Sequence, residues 1–426
     1  MRLAEGGREG VAMWRISKEG RLDRLVVFVA GAGKAVPVGE LLFEGADRRQ
    51  SIFRYSRSWL ANDAAQALAP TLPLRPKAVH SAPYEVPLPF HDAAPDGWGK
   101  SILLQAYPNQ RWGMAEYLAA AGNDRIGELS FGPEPDQEPQ QFIPPGQPML
   151  DPPAGQASLE DLLEAAMAVD EGRAQTHHLH LLFRSSADIG GARPKAHLSD
   201  GGRGWIAKFP AQGDGFDEPR AEAVCLDLAE ASGIDTPDHD VIRIAGRSVL
   251  LVERFDRRGD RRLGYASAGT MMGRPPDEYA TTITYADIAA VARAAGVRPC
   301  ERELFRRVLF NAFIHNTDDH LRNHAFLRDR QGWHLSPVFD IVPHQRGRLV
   351  LPPAPGFDPL PDPRIVMAAH VRFRLDGPSA QDIYDEVVQA MGRLDACLDQ
   401  RGVTARDRST LVQLMPFAFS PPPLRG

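Results

Sequence analysis

The chain has 426 residues, of which 43% are hydrophobic and 24% charged, and its formal net charge is −6. This length exceeds one compact core and predicts two or three units, and the acidic balance argues against nucleic-acid binding through bulk charge. Cys225, Cys300 and Cys397 are too few and too far apart for a disulfide framework, as is typical of the reducing cytoplasm. Because the apolar runs are too short for a membrane span and the N-terminus lacks a signal-peptide core, we expect a cytoplasmic protein without membrane contact.

Residues 1–132 predict an α/β unit. Leu25–Ala30 is an apolar run typical of a strand, and Gly39–Phe43 is a plausible partner strand. Ala94–Gly99 predicts a turn that leads into a helix, and Gly122–Gly127 predicts a further turn.

Residues 133–156 predict a linker or a long surface loop, because prolines recur there among Glu, Gln and Asp. Beyond it, Ser158 is the expected N-cap of an amphipathic helix over Leu159–Ala168. Residues 157–262 then predict a β-rich lobe in the order strand, strand, helix, strand, strand, and residues 263–426 predict a mostly helical lobe. This order is typical of the two lobes of a protein kinase, so the expected fold class is α+β.

The segment Asn316–Asn323 carries the strongest chemical pattern. Asp318 and Asn323 are five residues apart, and Asp340 follows an apolar run. Phosphoryl transfer needs this arrangement, because one Asp can orient a substrate hydroxyl while an Asn and a second Asp hold Mg²⁺ on the nucleotide phosphates. The alternative is a polar loop of caps and turns, which Asn and Asp also favour.

Lys208 lies in the middle of an otherwise apolar strand pattern, where a buried lysine needs a partner. Glu222 on the following helix is the expected partner, in which case Lys208 would bind the α- and β-phosphates of ATP. The alternative is an edge-strand lysine that points to solvent.

Two further segments complete the predicted nucleotide site. The first segment is a glycine-rich loop with Gly190, Gly191, Ala192, Arg193 and Lys195. Its glycines would let backbone N–H groups approach phosphates, and its two cations would add positive charge. It is not a Walker A motif, and a Gly-Gly pair alone is often only a turn. The other segment, Glu253, Arg254 and Phe255, ends a strand where the lobes meet and could present its backbone to adenine, or could be a solvated strand end.

Histidines offer a competing metal interpretation. His315, Asp319 and His320 do not have the spacing of a helical zinc hydrolase motif. We therefore interpret His320 as a structural residue that braces the predicted catalytic loop, residues 316–323, beside the nucleotide. His177, His178 and His180 could bind a metal by composition, but they more simply mark the start of a strand.

Together these residues resemble the HipA family, the serine/threonine kinase toxins of bacterial toxin–antitoxin modules. The motifs that carry the resemblance are Gly-Gly-Ala-Arg-Pro-Lys (190–195), Trp-Ile-Ala-Lys-Phe-Pro (205–210), Val-Glu-Arg-Phe-Asp-Arg (252–257), Asn-Thr-Asp-Asp-His-Leu-Arg-Asn (316–323), Pro-Val-Phe-Asp-Ile (337–341) and, in the first unit, Pro-Asp-Gly-Trp-Gly (95–99).

The resemblance implies a two-lobed kinase-like fold with an extra N-terminal subdomain. It further implies that ATP and Mg²⁺ are the cofactors, that Asp318 is the catalytic residue, that Asn323 and Asp340 bind Mg²⁺, and that Lys208 with Glu222 holds the phosphates. Family members phosphorylate proteins, including aminoacyl-tRNA synthetases, and arrest growth. They pair with a helix-turn-helix antitoxin, HipB in the founding module, which binds the operator DNA.

One position departs from the family pattern. The family often places an autophosphorylated Ser seven residues before the loop lysine, where this chain has Asp188, with Ser185 and Ser186 close by. Asp cannot accept a phosphate in the same way, although its charge partly imitates one. Either a neighbouring serine accepts the phosphate instead, or the loop is permanently biased. One alternative is therefore a pseudokinase that acts as an antitoxin-binding co-repressor. Another is a small-molecule kinase, because the fold does not fix the substrate.

Overall fold

The computed structural model describes residues 14–424 except 19, 32, 46, 148–156 and 276–281. The end of the predicted linker lies outside the described residues. Within them, no helix has both the length and the apolar character needed to cross a membrane.

The first unit is built on a five-stranded sheet with the strand order β4-β3-β2-β1-β5. Every strand pair in it is antiparallel, so the unit is better described as α+β than as the α/β unit that the sequence suggested. Its elements are β1 (Arg24–Ala30), β2 (Ala35–Glu44), β3 (Gln50–Tyr55), α1 (Arg57–Leu60), β4 (Val79–His80), α2 (Leu88–Ala93), α3 (Gly97–Ala106), α4 (Met114–Ala120) and β5 (Leu129–Gly132).

Two helices connect this unit to the small lobe. Helix α5 (Leu159–Asp170) begins at Ser158, whose hydroxyl accepts the Asp161 N–H in a capping box. Helix α6 (Thr176–Ser186) contains the three histidines that the sequence assigned to a strand start, and that prediction is wrong. The physical reason is helical spacing: His178, Leu182 and Phe183 share the buried face of α6.

The small lobe is a four-stranded antiparallel sheet with the order β6-β7-β9-β8 and one long helix. Both hairpins and the helix between them lie where the sequence predicted them. The elements are β6 (Lys195–Asp200), β7 (Arg203–Lys208), α7 (Glu218–Ala231), β8 (His239–Ile244) and β9 (Arg247–Glu253).

The large lobe is mainly helical, as expected, but it contains a three-stranded sheet, β12-β13-β14, that the sequence analysis missed. A 3₁₀ turn over Leu321–Asn323 precedes β13, and another covers His370–Phe373. The elements are β10 (Arg257–Arg258), β11 (Arg261–Arg262), β12 (Gly264–Ser267), α8 (Ala268–Met272), α9 (Tyr285–Ala294), α10 (Cys300–Ile314), β13 (Ala325–Asp329), β14 (Gly332–Leu335), α11 (Pro363–Ala368), α12 (Gly377–Met391), α13 (Leu394–Gln400), α14 (Ala405–Leu414) and α15 (Pro416–Phe419).

The two main apolar cores do not follow the predicted boundaries. One core runs from the first sheet through α5 and α6 to Ala196 and Ala207 under the small-lobe sheet. The other fills the large lobe and also takes in Val224 and Leu228 of α7. Helix α7 therefore packs beneath the small-lobe sheet and also contributes side chains to the core of the large lobe. The cleft between the lobes lies at the N-terminal half of α7.

Candidate active site

Lys208 lies at the end of β7, a strand with neighbours on both sides. The edge-strand alternative is therefore wrong. Its ammonium group is 2.6 Å from Glu222 Oε1 and 3.0 Å from Asp340 Oδ1, and the lysine side chain is only 14% exposed. Burial lowers the pKa of Lys208, but the two carboxylates outweigh it and hold that pKa above its ordinary value. Lys208 thus stays charged and joins the small lobe to the Asp340 loop.

Asp340 has a left-handed backbone with φ of 58°. A non-glycine residue rarely adopts this conformation, although Asp tolerates it better than most, and such residues cluster at functional sites. The charge of Lys208, helped by that of Lys195, holds the pKa of the Asp340 carboxyl well below its usual range. The carboxylate is therefore ionised at neutral pH and 43% exposed toward the cleft.

The glycine-rich loop leads into β6 above this pair. Gly191 has φ of 88°, a left-handed conformation that favours glycine, and the Lys195 ammonium group lies over it. Lys195 donates to the Gly190 carbonyl at 3.0 Å, and it faces Lys208 across the β6–β7 pair. Burial lowers the pKa of Lys195. Two cations and a backbone turn therefore meet where an anionic phosphate chain would be stabilised.

Arg193 of the same loop pairs with two acidic side chains. Its guanidinium lies 2.6 Å from Asp214 and 2.6 Å from Glu218 at the start of α7. Glu218 is mostly buried, and burial raises the pKa of its carboxyl to about 7. Arg193 therefore lies in an acidic cluster beside Glu222, and its predicted contact with the nucleotide stays a prediction.

The predicted catalytic loop, residues 316–323, follows α10, whose C-cap His315 has a left-handed conformation. Asp318 is 29% exposed and forms an ion pair with the exposed Arg346. The Asn323 amide nitrogen lies 3.4 Å from the Asp318 carbonyl oxygen. His344 is close enough to Asp318 and Asp340 that both carboxylates oppose the lowering of its pKa by burial, so the two predicted carboxylates converge on one cleft.

A buried polar network supports this loop from below. Asp319 accepts the Asn311 side-chain N–H at 2.5 Å and lies 3.0 Å from His324 Nε2. Asn311 also donates to the Tyr285 hydroxyl at 2.8 Å and accepts from Asn316 at 3.2 Å. Sequence reasoning gave the bracing role to His320, whose carbonyl accepts the Asn323 backbone N–H at 2.9 Å, and that role stays a prediction. The buried network adds Asp319 and His324 as supports of the loop. The signal that was missed is the neighbouring Asp in Asp318-Asp319.

The predicted adenine segment lies beside the cleft. The backbone N–H groups of Glu253 and Arg254 donate to the carbonyls of Asp238 and Gly204, and the Arg254 side chain is buried against Asp256. Phe255 contacts Phe339, with ring centroids 5.3 Å apart, and so reaches the residue before Asp340. The adenine-binding role of this segment stays a prediction.

The donor set fits a hard divalent cation rather than zinc. Asp340 supplies an ionised carboxylate, and because the Asn323 amide nitrogen faces the Asp318 carbonyl, its amide oxygen is the atom that a cation would use. Oxygen donors of this kind suit Mg²⁺ beside phosphates. Among the described residues, no group of three or more His, Cys, Asp or Glu side chains is arranged to hold a metal ion.

Asp188 lies beneath the glycine-rich loop, almost fully buried. His197 Nε2 is 3.2 Å from Asp188 Oδ1; burial raises the pKa of the Asp188 carboxyl, but His197 and Arg125 outweigh this, and the net pKa is lowered. Ser186 is buried and donates to the Lys195 carbonyl at 2.7 Å, whereas the half-buried Ser185 donates to a carbonyl of its own helix. Neither Ser185 nor Ser186 is exposed at the surface, and the role of either serine as a phosphate acceptor stays a prediction.

Comparisons with known proteins agree with this architecture. Residues 32–132 match the model of the HipA N-terminal domain, and residues 187–393 match that of the HipA-like C-terminal domain. Y4mE of Sinorhizobium fredii, which is named provisionally as a kinase, is 28% identical over 324 residues that make up 70% of this chain and 73% of the relative. The serine/threonine-protein kinase toxin HipA of Shewanella oneidensis is 20% identical over 341 residues, 72% of each chain.

A solved structure from Shewanella oneidensis, a complex of HipA, HipB and its operator DNA, has the same fold. It matches with a TM-score of 0.65 and 16% identity, and the match covers 93% of this chain and 96% of that chain. The fold is therefore the two-lobed, kinase-like α+β fold with an added N-terminal unit that the sequence predicted. With both family domains present in their order along the chain, this protein belongs to the HipA family.

Proposed function

We propose that this chain is an ATP- and Mg²⁺-dependent protein serine/threonine kinase of the HipA type. The observation that carries the proposal is the placement of Lys208 between Glu222 and Asp340, at 2.6 and 3.0 Å, in the cleft that also receives the Asp318 loop. A lysine paired with a helix glutamate and an Asp–Asn pair below it are the parts that phosphoryl transfer uses.

The residues divide the work of transfer between them. Lys195 and Lys208 would hold the phosphates, and Asp318 would orient the substrate hydroxyl and accept its proton. The hydroxyl oxygen bonds to the γ-phosphorus as the bond to the bridging oxygen of ADP breaks. Mg²⁺ held by Asn323 and Asp340 would neutralise charge on the phosphate oxygens. Arg346 must leave Asp318 when the hydroxyl arrives, which its exposure permits.

We further propose that the phosphate acceptor is a cytoplasmic protein, with an aminoacyl-tRNA synthetase as the first candidate, and that a HipB-like helix-turn-helix antitoxin is the partner. The Shewanella relatives support both parts, since one is named a serine/threonine-protein kinase toxin and the other was solved with HipB and operator DNA. In this proposal DNA is reached only through the antitoxin.

Transfer of ³²P from γ-labelled ATP to proteins of a bacterial lysate tests the proposal. Wild type is expected to label a protein band, and Asp318→Asn, which keeps size and hydrogen bonding, is expected to reduce labelling at least about a hundredfold. A wild-type chain that labels only small molecules would favour the small-molecule kinase alternative. A chain that binds the antitoxin but transfers no phosphate would favour the pseudokinase.

A further inference from the structure

Asp96 lies at the start of α3 in the first unit and contacts two loops of the cleft. One carboxylate oxygen accepts the backbone N–H of Gly191 in the glycine-rich loop. The other lies 3.1 Å from Arg322 Nη1 in the catalytic loop, and both side chains of this pair are 21% exposed. Arg322 directly precedes Asn323, so one side chain from outside the two lobes links the phosphate side of the cleft to the metal side.

The surrounding contacts press the start of α3 against the same loop. The Trp98 backbone N–H donates to the Gly191 carbonyl at 2.8 Å, and the Trp98 indole N–H donates to the Lys195 carbonyl at 2.9 Å. A Cβ on Gly97 would lie 2.8 Å from the Ala192 Cα. Only glycine permits this approach without a shift of the loop. Asp96 is therefore held in place by its neighbours and is not a mobile surface acid.

We propose that Asp96 is a positioning residue that sets the separation of the glycine-rich loop and the catalytic loop, which makes the N-terminal unit part of the catalytic apparatus. The effect on transfer rests on the proposed function; the link between the loops does not. A carboxylate that accepts an N–H from one loop and pairs with a cation of the other restrains both. Preorganised placement of phosphate-binding groups contributes strongly to transfer, so a small widening of the cleft is costly.

Three variants separate the two contacts of Asp96. Asp96→Asn keeps an oxygen for the Gly191 N–H but removes the charge that faces Arg322, Asp96→Ala removes both contacts, and Arg322→Gln removes the ion pair from the other end. We expect Asp96→Asn and Arg322→Gln each to lower kcat about tenfold with a nearly unchanged KM for ATP, and Asp96→Ala to raise that KM as well. The double variant Asp96→Asn with Arg322→Gln should be no worse than either single one.

The control is Glu128→Gln, which breaks another ion pair of the first unit, to Arg328 on β13. It should leave kcat and KM unchanged. Additive effects of the Asp96→Asn and Arg322→Gln substitutions, or equal losses in Glu128→Gln, would overturn the proposal, because a general loss of domain contact would then explain the data.

Hydrogen exchange of the nucleotide-free protein tests the link without activity. Asp96→Ala should speed exchange at least about tenfold in peptides that cover residues 188–195 and 318–324, while α10 and the Glu128→Gln control stay as in wild type. Unchanged exchange in both loops would refute the link. If wild type transfers no phosphate, the proposed function fails, and the exchange result still decides the link.

Discussion

On the small-lobe side of the cleft, Lys208 is held by two carboxylates, whereas on the large-lobe side the Asp318 loop rests on the buried network of Asn311, Asp319 and His324. The first arrangement is held by attraction between one ammonium group and two carboxylates, and it faces the space that a nucleotide would enter. The second lies inside the protein and is largely insulated from ligand and salt. We infer that the charged side adjusts to the nucleotide, while the network side keeps the reacting groups fixed.

The largest expected effect comes from removal of the central cation of the charged side. Lys208→Met leaves Glu222 and Asp340 facing each other without a counterion, and no ammonium remains for the phosphates. Phosphate transfer should fall by about 10³-fold or more, measured with γ-labelled ATP. Lys34→Met, at the exposed β1–β2 turn, is the matched control and should transfer at the wild-type rate. Transfer within tenfold of wild type in Lys208→Met would remove this lysine from the site.

The network side should respond mainly in stability. Asp319→Ala removes the buried carboxylate that accepts one N–H of the Asn311 amide and lies 3.0 Å from His324 Nε2. Breaking a buried charged contact of this kind costs about 3 kcal/mol in the free energy of unfolding. Urea unfolding measures this cost. Asp358→Ala removes an exposed pair with Arg348 and should cost less than about 1 kcal/mol. Equal costs for the two substitutions would show that the network does not support the loop.

The same contrast explains what the sequence could predict. The hairpins and α7 follow from alternation, turn residues and N-caps, which are local signals, and the spacing of Asp318 and Asn323 is local too. The contact of Lys208 with Glu222 could be proposed only because a buried lysine needs a partner, and the second partner, Asp340, was not predicted as a contact. In contrast, β12 is only four residues long, and its partner β13 follows in the sequence after the helices α9 and α10. No local sequence pattern therefore predicts β12.

Long-range polar partners were the main omission at the site. Asp96 was interpreted only as part of a turn, and Asp319 and Arg346 had no periodicity that would single them out. The histidines of α6 were assigned to a strand start because an apolar run follows them, whereas the buried face has the spacing of a helix. Both errors arise because tertiary packing, rather than local propensity, decides these positions.

Glu218 should give the charged side a measurable pH dependence. Its folded-state pKa is raised by burial to about 7 from an ordinary value of 4.5, so the folded state favours the protonated acid, and stability falls as pH rises through this window. Compared with Glu218→Gln, wild type should lose about 1–2 kcal/mol between pH 5 and pH 8. Urea unfolding of both proteins at the two pH values checks this. Parallel losses in the two proteins would show that Glu218 does not titrate in this window.

The smallest expected effect concerns Arg346. Its side chain is 58% exposed, and an exposed ion pair contributes less than about 1 kcal/mol. Arg346→Ala should therefore unfold at the same temperature as wild type and transfer phosphate within about threefold of the wild-type rate. A loss as large as that of Asp318→Asn would instead place Arg346 among the catalytic groups.

A crystal structure with Mg²⁺ and a non-hydrolysable ATP analogue tests the central claim most directly. The account predicts phosphates between Lys195 and Lys208, a cation on Asn323 and Asp340, and the γ-phosphate facing Asp318. A nucleotide bound outside the interlobe cleft, or phosphates that contact neither lysine, would contradict it.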